Sequence, residues 1–339
     1  MTIRVGLVGG GNISSTHARA VSAIPGAEVA AIHGINSQKA NQLARQFGAV
    51  AYTDFDEFLR HRPMDMVIIG SPSGVHAQQG IAAARQGLHV LVEKPIDINT
   101  IQVDALIAAC ERACVKLGVI FQDRLKPDIV RLRQLIADGA LGRPLLADAR
   151  VKWYRPPEYY TGSRWRGIWK FDGGGALMNQ GVHTVDLLLW LLGDVCEVQA
   201  RTATLLHSIE TEDTALALLE FSSGAFGVLQ ATTAAYPGYS RRLEVTGSEG
   251  TVILENDRIV AAGLRNQMSG VARPHDGVAG ESAASPVVTD IRGHQSVIED
   301  FLRAINENRA PACDGHEGRR SVALIEKIYQ VARSTQPVA

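Results

Sequence analysis

Two short stretches of this sequence carry side chains suited to moving a proton. Glu93-Lys94-Pro95 closes the apolar run His89–Val92, so Lys94 stands at the carboxyl end of what reads as an inner strand. Ligands of doubly wound sheets bind at that edge. A positively charged ring bound beside it would ease the ammonium's loss of its proton, letting Lys94 bind a substrate oxygen and share in proton transfer. The second stretch is Asn179, His183 and Asp186, at i, i+4 and i+7 of one helical run. Leu187, Leu188, Leu191 and Leu192 supply packing on the other side, and Gly173–Gly175 let the backbone approach a ligand closely. A histidine in the second or third turn of that helix, aimed at a cleft, suits a general base near neutral pH. Asp186 either orients a substrate or caps a network.

A third element fixes what the chemistry would act with. The first apolar run leads directly into Gly9-Gly10-Gly11-Asn12-Ile13-Ser14 and then a helical pattern. Strand, glycine turn and helix in that order cradle a pyrophosphate on the helix N-terminus, with Gly9, Gly11, Asn12 and Ile13 as contacts. A bound dinucleotide, NAD(P), is the expected cofactor, a plain glycine turn being the alternative reading of these residues. The next strand ends in His33-Gly34-Ile35-Asn36-Ser37-Gln38-Lys39, with no acid near Gly34 to hold a ribose diol. Asn36 and Ser37 offer polar contacts, and Lys39 either pairs with a 2′-phosphate or is a solvated helix residue; this favours NADP slightly over NAD. The following strand ends in Gly70-Ser71-Pro72-Ser73-Gly74-Val75-His76, which places Ser71 and Pro72 beside the cofactor. His76 either touches it or caps a helix. Hydride chemistry needs no metal.

The substrate signal is a loop. Between Lys152 and Lys170 lie Arg155, Arg164, Arg166 and six aromatics (Trp153, Tyr154, Tyr159, Tyr160, Trp165 and Trp169), with Glu158 as the one acid before Asp172. Aromatic faces pack on sugar C–H surfaces and arginines fork onto carboxylates or phosphates. A polyhydroxylated ring, acidic or nucleotide-linked, is the expected ligand. Tyr154, Arg164, Trp165 and Arg166 are its candidate contacts, with Arg124 and Tyr236 weaker ones.

These residues need a scaffold of two parts. Short apolar runs alternate with helical patterns through residue 122, the mark of a parallel sheet covered by helices. After it, the runs Glu197–Leu206, Thr214–Ser222, Ala225–Thr233, Arg241–Thr246 and Gly250–Glu255 suit an antiparallel sheet with one open face. The expected architecture is α/β: a Rossmann dinucleotide-binding domain, residues 1–122, and an α+β substrate and oligomerisation domain, 123–339, with a largely antiparallel open sheet. Asn266–Ser285, rich in Gly, Ser and Ala, reads as a mobile loop, and helices close the chain.

Composition excludes other classes. The 339 residues hold 34 basic and 35 acidic side chains, without the basic excess of a nucleic-acid binder. No apolar run approaches the ~20 residues of a membrane span, and the opening MTIRVGLVGGG enters a strand rather than a signal peptide. The four cysteines show no CxxC pairing, so a reducing cytoplasm is the expected setting.

Taken together, the glycine turn, Pro72…His76, Gly87–Pro95, and Gly173–His183 about 80 residues further on resemble the glucose–fructose oxidoreductase / inositol dehydrogenase / rhizopine-catabolism (Gfo/Idh/MocA) family. The tail Glu299-Asp300-Phe301…Ala304-Ile305 also fits, so the likeness spans nearly the whole chain. The resemblance implies a nicotinamide near Lys94, a substrate alcohol between that ring and His183, a cis peptide before Pro95, and a homodimer or homotetramer. Many relatives carry aspartate where this chain has Asn179. An asparagine binds a hydroxyl but cannot take its proton, which leaves His183, Lys94 or both as the base. Some nucleotide-sugar 3-dehydrogenases of the family are similar in this respect. A cofactor-binding sensor, or a reductase of a non-sugar carbonyl or imine, are the alternatives.

Overall fold

A computed structural model describes residues 2–265 and 290–334, which form two compact units: 2–122 with 290–319, and 123–265 with 320–334. The chain leaves the first unit after Gln122. The return of 290–319 to the first unit was not expected, because periodicity marks helices but not their partners. The expected loop at Asn266–Ser285 lies outside the described residues.

The first unit is built on β1 (Ile3–Val8), β2 (Ala27–His33), β3 (Val50–Tyr52), β4 (Met66–Ile69), β5 (His89–Glu93) and β6 (Leu117–Ile120). They form one parallel sheet in the order β3-β2-β1-β4-β5-β6. β4 and β6 are buried at every position, as a sheet covered on both faces requires. Asparagine side chains start two of its helices: Asn36 accepts from Lys39 N at 3.0 Å and Asn99 from Gln102 N at 2.9 Å. The Ser37–Phe47 helix ends at Gly48 in the left-handed region. β3 and the Asp54-capped helix Phe55–Leu59 were not expected; at three and five residues they are too short to show a period.

The second unit holds β7 (Pro144–Lys152), β8 (Val195–Ala203), β9 (Thr214–Phe221), β10 (Phe226–Thr232), β11 (Arg242–Gly247), β12 (Gly250–Glu255) and β13 (Arg258–Leu264). The order is β13-β12-β11-β7-β10-β9-β8, antiparallel except for the β7–β10 pair. Alternating burial along β9 and β10 puts one face in the core and leaves Leu216, Leu218 and Phe226 exposed, with Leu146 beside Phe226 on β7. β13 was missed, although Asn256 and Asp257, both at positive φ, make the hairpin turn before it. No helix among the described residues is long and apolar enough to cross a membrane.

One buried ion pair joins the turn Gln122–Leu125 to the helix Val182–Leu192. Arg124 Nε donates to Asp186 Oδ2 at 2.8 Å and Nη2 donates to Oδ1 at 2.6 Å, with both side chains almost fully buried. Breaking it strands a charge in the core. Asp186→Asn is expected to lower unfolding free energy by about 3–5 kcal/mol in urea titrations. A change below about 1 kcal/mol would show that the pair is not structural.

Candidate active site

Parallel register sets the first unit's site. Val8 pairs with Ile69 and Ile69 with Val92, so β1, β4 and β5 end side by side at their carboxyl edge. Gly9-Gly10-Gly11, Gly70-Ser71-Pro72 and Glu93-Lys94-Pro95 therefore emerge next to one another. Gly9 has φ +122, and a Cβ there would meet the Gly70 carbonyl oxygen at 2.8 Å. Gly11 has nothing within 4 Å, and the Asn12–Ser22 helix starts from it without a side-chain cap. Open space in front of uncapped helix N–H groups fits a pyrophosphate, with Asn12 and Ile13 in the first turn. At the β2 end Gly34 is buried, 3.3 Å being the distance from an added Cβ to Gly10 Cα and to Ala40 Cβ, while Asn36, Ser37 and Lys39 are exposed.

Lys94 is half-buried and followed by a cis bond to Pro95. Its backbone N–H donates to the Glu93 carboxylate at 3.1 Å. Glu93 itself points inward, where His17 Nε2 donates to Oε1 at 2.9 Å and His294 Nε2 lies 3.4 Å from the same oxygen. Burial pushes this carboxyl up, but the hydrogen bonds from the two imidazoles hold it well below the ordinary range. Burial above all lowers His17. Among the described residues only this trio has metal-type donor atoms within 4.8 Å of one another. The Glu93 carboxylate is thus taken up by His17, His294 and the Lys94 backbone.

His76 is also reassigned. It is buried, with Nδ1 2.9 Å from the Pro95 carbonyl oxygen and Nε2 2.8 Å from that of Ser71, so it bridges two strand ends. The helix cap belongs to Asp97, which accepts from Ala77 N at 2.9 Å. Ser71 Oγ donates to Gln79 at 2.5 Å.

In the second unit the long helix expected after the glycines is broken. Ala176–Gly181 is a π-helical segment, and the α-helix begins at Val182. His183 therefore lies in the first helical turn rather than the second or third, and 3.6-residue spacing does not carry from Asn179 to it. Asn179 Nδ2 donates to Asp172 at 2.5 Å, and its oxygen accepts from Gln180 at 2.7 Å. Asp186, one turn beyond His183, is engaged by Arg124. His183 is 9 % exposed, with Nδ1 3.6 Å from the Asp123 carboxylate.

The π segment is anchored by Glu212. Its buried carboxylate accepts from Gly175 N at 3.0 Å, Leu177 N at 2.8 Å and the Tyr329 hydroxyl at 2.8 Å. A Cβ on Gly175 would fall 2.0 Å from the Glu212 carbonyl oxygen, so only glycine fits there.

The aromatic and basic loop divides. Trp153, Arg155 and Tyr160 are buried, with Arg155 donating to Gln180 Oε1 at 2.8 Å and to the Tyr154 carbonyl at 3.0 Å. Arg166 lies 4.2 Å above the Tyr159 ring, half-buried like Trp165, and its Nε has no hydrogen-bond partner among the described residues. Arg164 is exposed, and Tyr154 meets exposed Tyr236 edge to face at 5.2 Å. Arg124, a candidate contact, is spent on Asp186. Sequence reasoning missed Asp123, Asp172, Gln180 and Glu212, whose meaning comes from partners distant in the chain. Glu212-Asp213, two acids between strand patterns, was the available signal.

These features define an oxidoreductase built on a dinucleotide-binding sheet. Residues 3–121 match the oxidoreductase family with an NAD-binding Rossmann fold, and 129–253 match the GFO/IDH/MocA C-terminal domain. The WlbA dehydrogenase of Bordetella pertussis, whose structure contains NADH and UDP-GlcNAcA, is 32% identical with TM-score 0.87, over 100% of this chain and 99% of that one. The inositol 2-dehydrogenase of Rhizobium meliloti is 28% identical over 99% of each chain. The myo-inositol 2-dehydrogenase of Thermotoga maritima is 25% identical over 95% of this chain and 94% of its own. The chain belongs to the GFO/IDH/MocA family and is an NAD-dependent oxidoreductase.

Burial raises Glu212 to about 7, against the hydrogen bonds from Leu177, Gly175 and Tyr329. Between the ordinary 4.5 and about 7 the folded chain holds a proton that the unfolded chain has released. The contribution of Glu212 to stability therefore falls as pH rises through that window, by up to about 1.4 kcal/mol per unit. The lowered histidines act in the opposite direction but are common to parent and variant. Between pH 5 and pH 7, the stability read from urea unfolding should therefore change less favourably in the parent than in Glu212→Gln. The same pH dependence in both would contradict the assignment.

Proposed function

We propose that the protein oxidises, or in reverse forms, a secondary ring hydroxyl of a sugar-like substrate, with Lys94 and His183 handling the hydroxyl proton. The observation that carries this is the lysine at the end of β5, two strands from the glycine turn on one sheet edge. In the second unit His183 is presented from the first turn of its helix and backed by a carboxylate. NAD, when bound, supplies the hydride acceptor at nicotinamide C4. The residues then position the alcohol and take its proton, with Asn179 as a hydrogen-bonding partner that cannot act as base. Burial leaves His183 little water to compete for it.

Arg166, Arg164, Trp165 and Tyr154 favour a substrate with an anionic part, such as a UDP-linked sugar acid, over a neutral cyclitol. The stacked guanidinium of Arg166 with an unfilled donor supports this, as does the UDP-GlcNAcA held by the WlbA relative. The end of β2 favours NADP slightly over NAD: Gly34 brings no acid to repel a 2′-phosphate, and exposed Lys39 can pair with one. The apolar open sheet face at Leu146, Leu216, Leu218 and Phe226 supports a homodimer or homotetramer. Four cysteines without CxxC pairing favour the cytoplasm as the setting.

The test is absorbance at the reduced-nicotinamide band with NAD and NADP across cyclitols, sugars, sugar acids and UDP-sugars. Lys94→Ala and His183→Ala should each lower kcat at least ~100-fold while cofactor binding by calorimetry persists. Near-parent rates in both would reject the roles. No turnover on any member, with cofactor still bound, would reject the sugar reading itself.

A further inference from the structure

Behind His183 lies a closed ring of four charges. Asp123 accepts from Lys126 Nζ at 2.6 Å and from Arg241 Nη2 at 2.7 Å. Asp257 meets the same two cations, at 2.5 Å from Lys126 and in a close pair with Arg241. Each acid touches both bases, so the ring sums to zero charge. Asp123 Oδ2, the oxygen bound by Arg241, is also the one 3.6 Å from His183 Nδ1. That separation is an ionic contact but longer than a hydrogen bond. Asp123, Asp257 and Arg241 are well buried, so solvent screens them weakly; Lys126 is 38 % exposed at its side chain.

On the helix that bears His183, Asp186 is three positions on and is neutralised by Arg124 through a bidentate pair. Burial raises the Asp123 carboxyl, but Arg241, His183 and Lys126 pull it well below its ordinary value. Lys126 is drawn down by burial, yet the Asp123 and Asp257 carboxylates bring it net upward. Asp123, Lys126 and Arg241 are therefore ionised at neutral pH.

A lone carboxylate beside an imidazole draws a proton onto it before any substrate arrives, which disables it as a base. Two cations held on the carboxylate damp that pull but leave the negative oxygen in place to face an imidazolium once formed. We propose that the ring of Asp123, Lys126, Arg241 and Asp257 sets the proton affinity of His183, making Lys126 and Asp257 positioning residues that act through Asp123. This rests on His183 as the base, but the ring's effect on the imidazole can be read without turnover.

The experiment is a pH titration of the imidazole 1H–15N NMR signals in the full chain without substrate, with the His183 resonance assigned by its loss in His183→Gln. Lys126→Met removes a partly exposed cation and leaves the ring negative, so the His183 midpoint should rise. Asp257→Asn leaves the ring positive, so the midpoint should fall; asparagine is isosteric and tolerates the φ of +64° at this position. Each shift should be roughly 0.5–1 pH unit, in opposite directions. The acid limb of kcat against pH should move with it. Midpoints that stay within about 0.2 unit of the parent, or move the same way in both variants, would overturn the proposal. Opposite NMR shifts with an unmoved kcat profile would keep the ring's effect but remove His183 as the base, separating this inference from the catalytic reading.

Discussion

The alignment of three parallel strand ends is the constraint on which the first unit rests. Val8, Ile69 and Val92 are buried and held in line by ladder hydrogen bonds, and that line decides where the glycine turn, Ser71-Pro72 and Lys94 emerge. A one-residue slip of β5 would turn its buried side chains to the opposite face and carry Lys94 away from the edge. The buried Glu93 anchor makes the end of β5 still less free, because its carboxylate accepts from His17 and from Lys94's own backbone. His76, bridging the Ser71 and Pro95 carbonyls, does the same between the next two loops. Polar groups are buried where they fix the position of a backbone segment.

The second unit uses buried charge differently. Arg124–Asp186 fastens the helix that bears His183, Glu212 holds the π segment before it, and the ring around Asp123 sets the field behind it. Each arrangement places ionisable groups in a low-dielectric interior, where an unsatisfied member costs several kcal/mol. Each is closed by partners from separate parts of the chain, so the helix and its imidazole are fixed by contacts that no local propensity supplies.

Legibility followed from the range of the interactions. The glycine turn, the strand ending in Glu93-Lys94-Pro95 and the alternating strands of the second sheet are local patterns, and the structure contains them. Asp186 shows the limit. Helical spacing placed it with His183 on a ligand-facing surface, yet Arg124, 62 positions away, claims it. Asn179 shows another, since a π turn breaks the 3.6-residue count that linked it to His183. In the loop from Lys152 to Lys170, residue types were informative but direction was not: Arg155 points into the core and Arg164 out of it. The role of Asp123 was invisible because its neighbours Lys126, His183, Arg241 and Asp257 meet only in the folded unit.

The most direct test of a shared proton-transfer role is a double-mutant cycle on Lys94 and His183, measured as kcat with a substrate that turns over. If the two act on one proton in one step, the Lys94→Ala/His183→Ala double variant should be at most about tenfold slower than the slower single variant. A loss equal to the product of the two single losses would mean that they act independently, and would contradict the shared role.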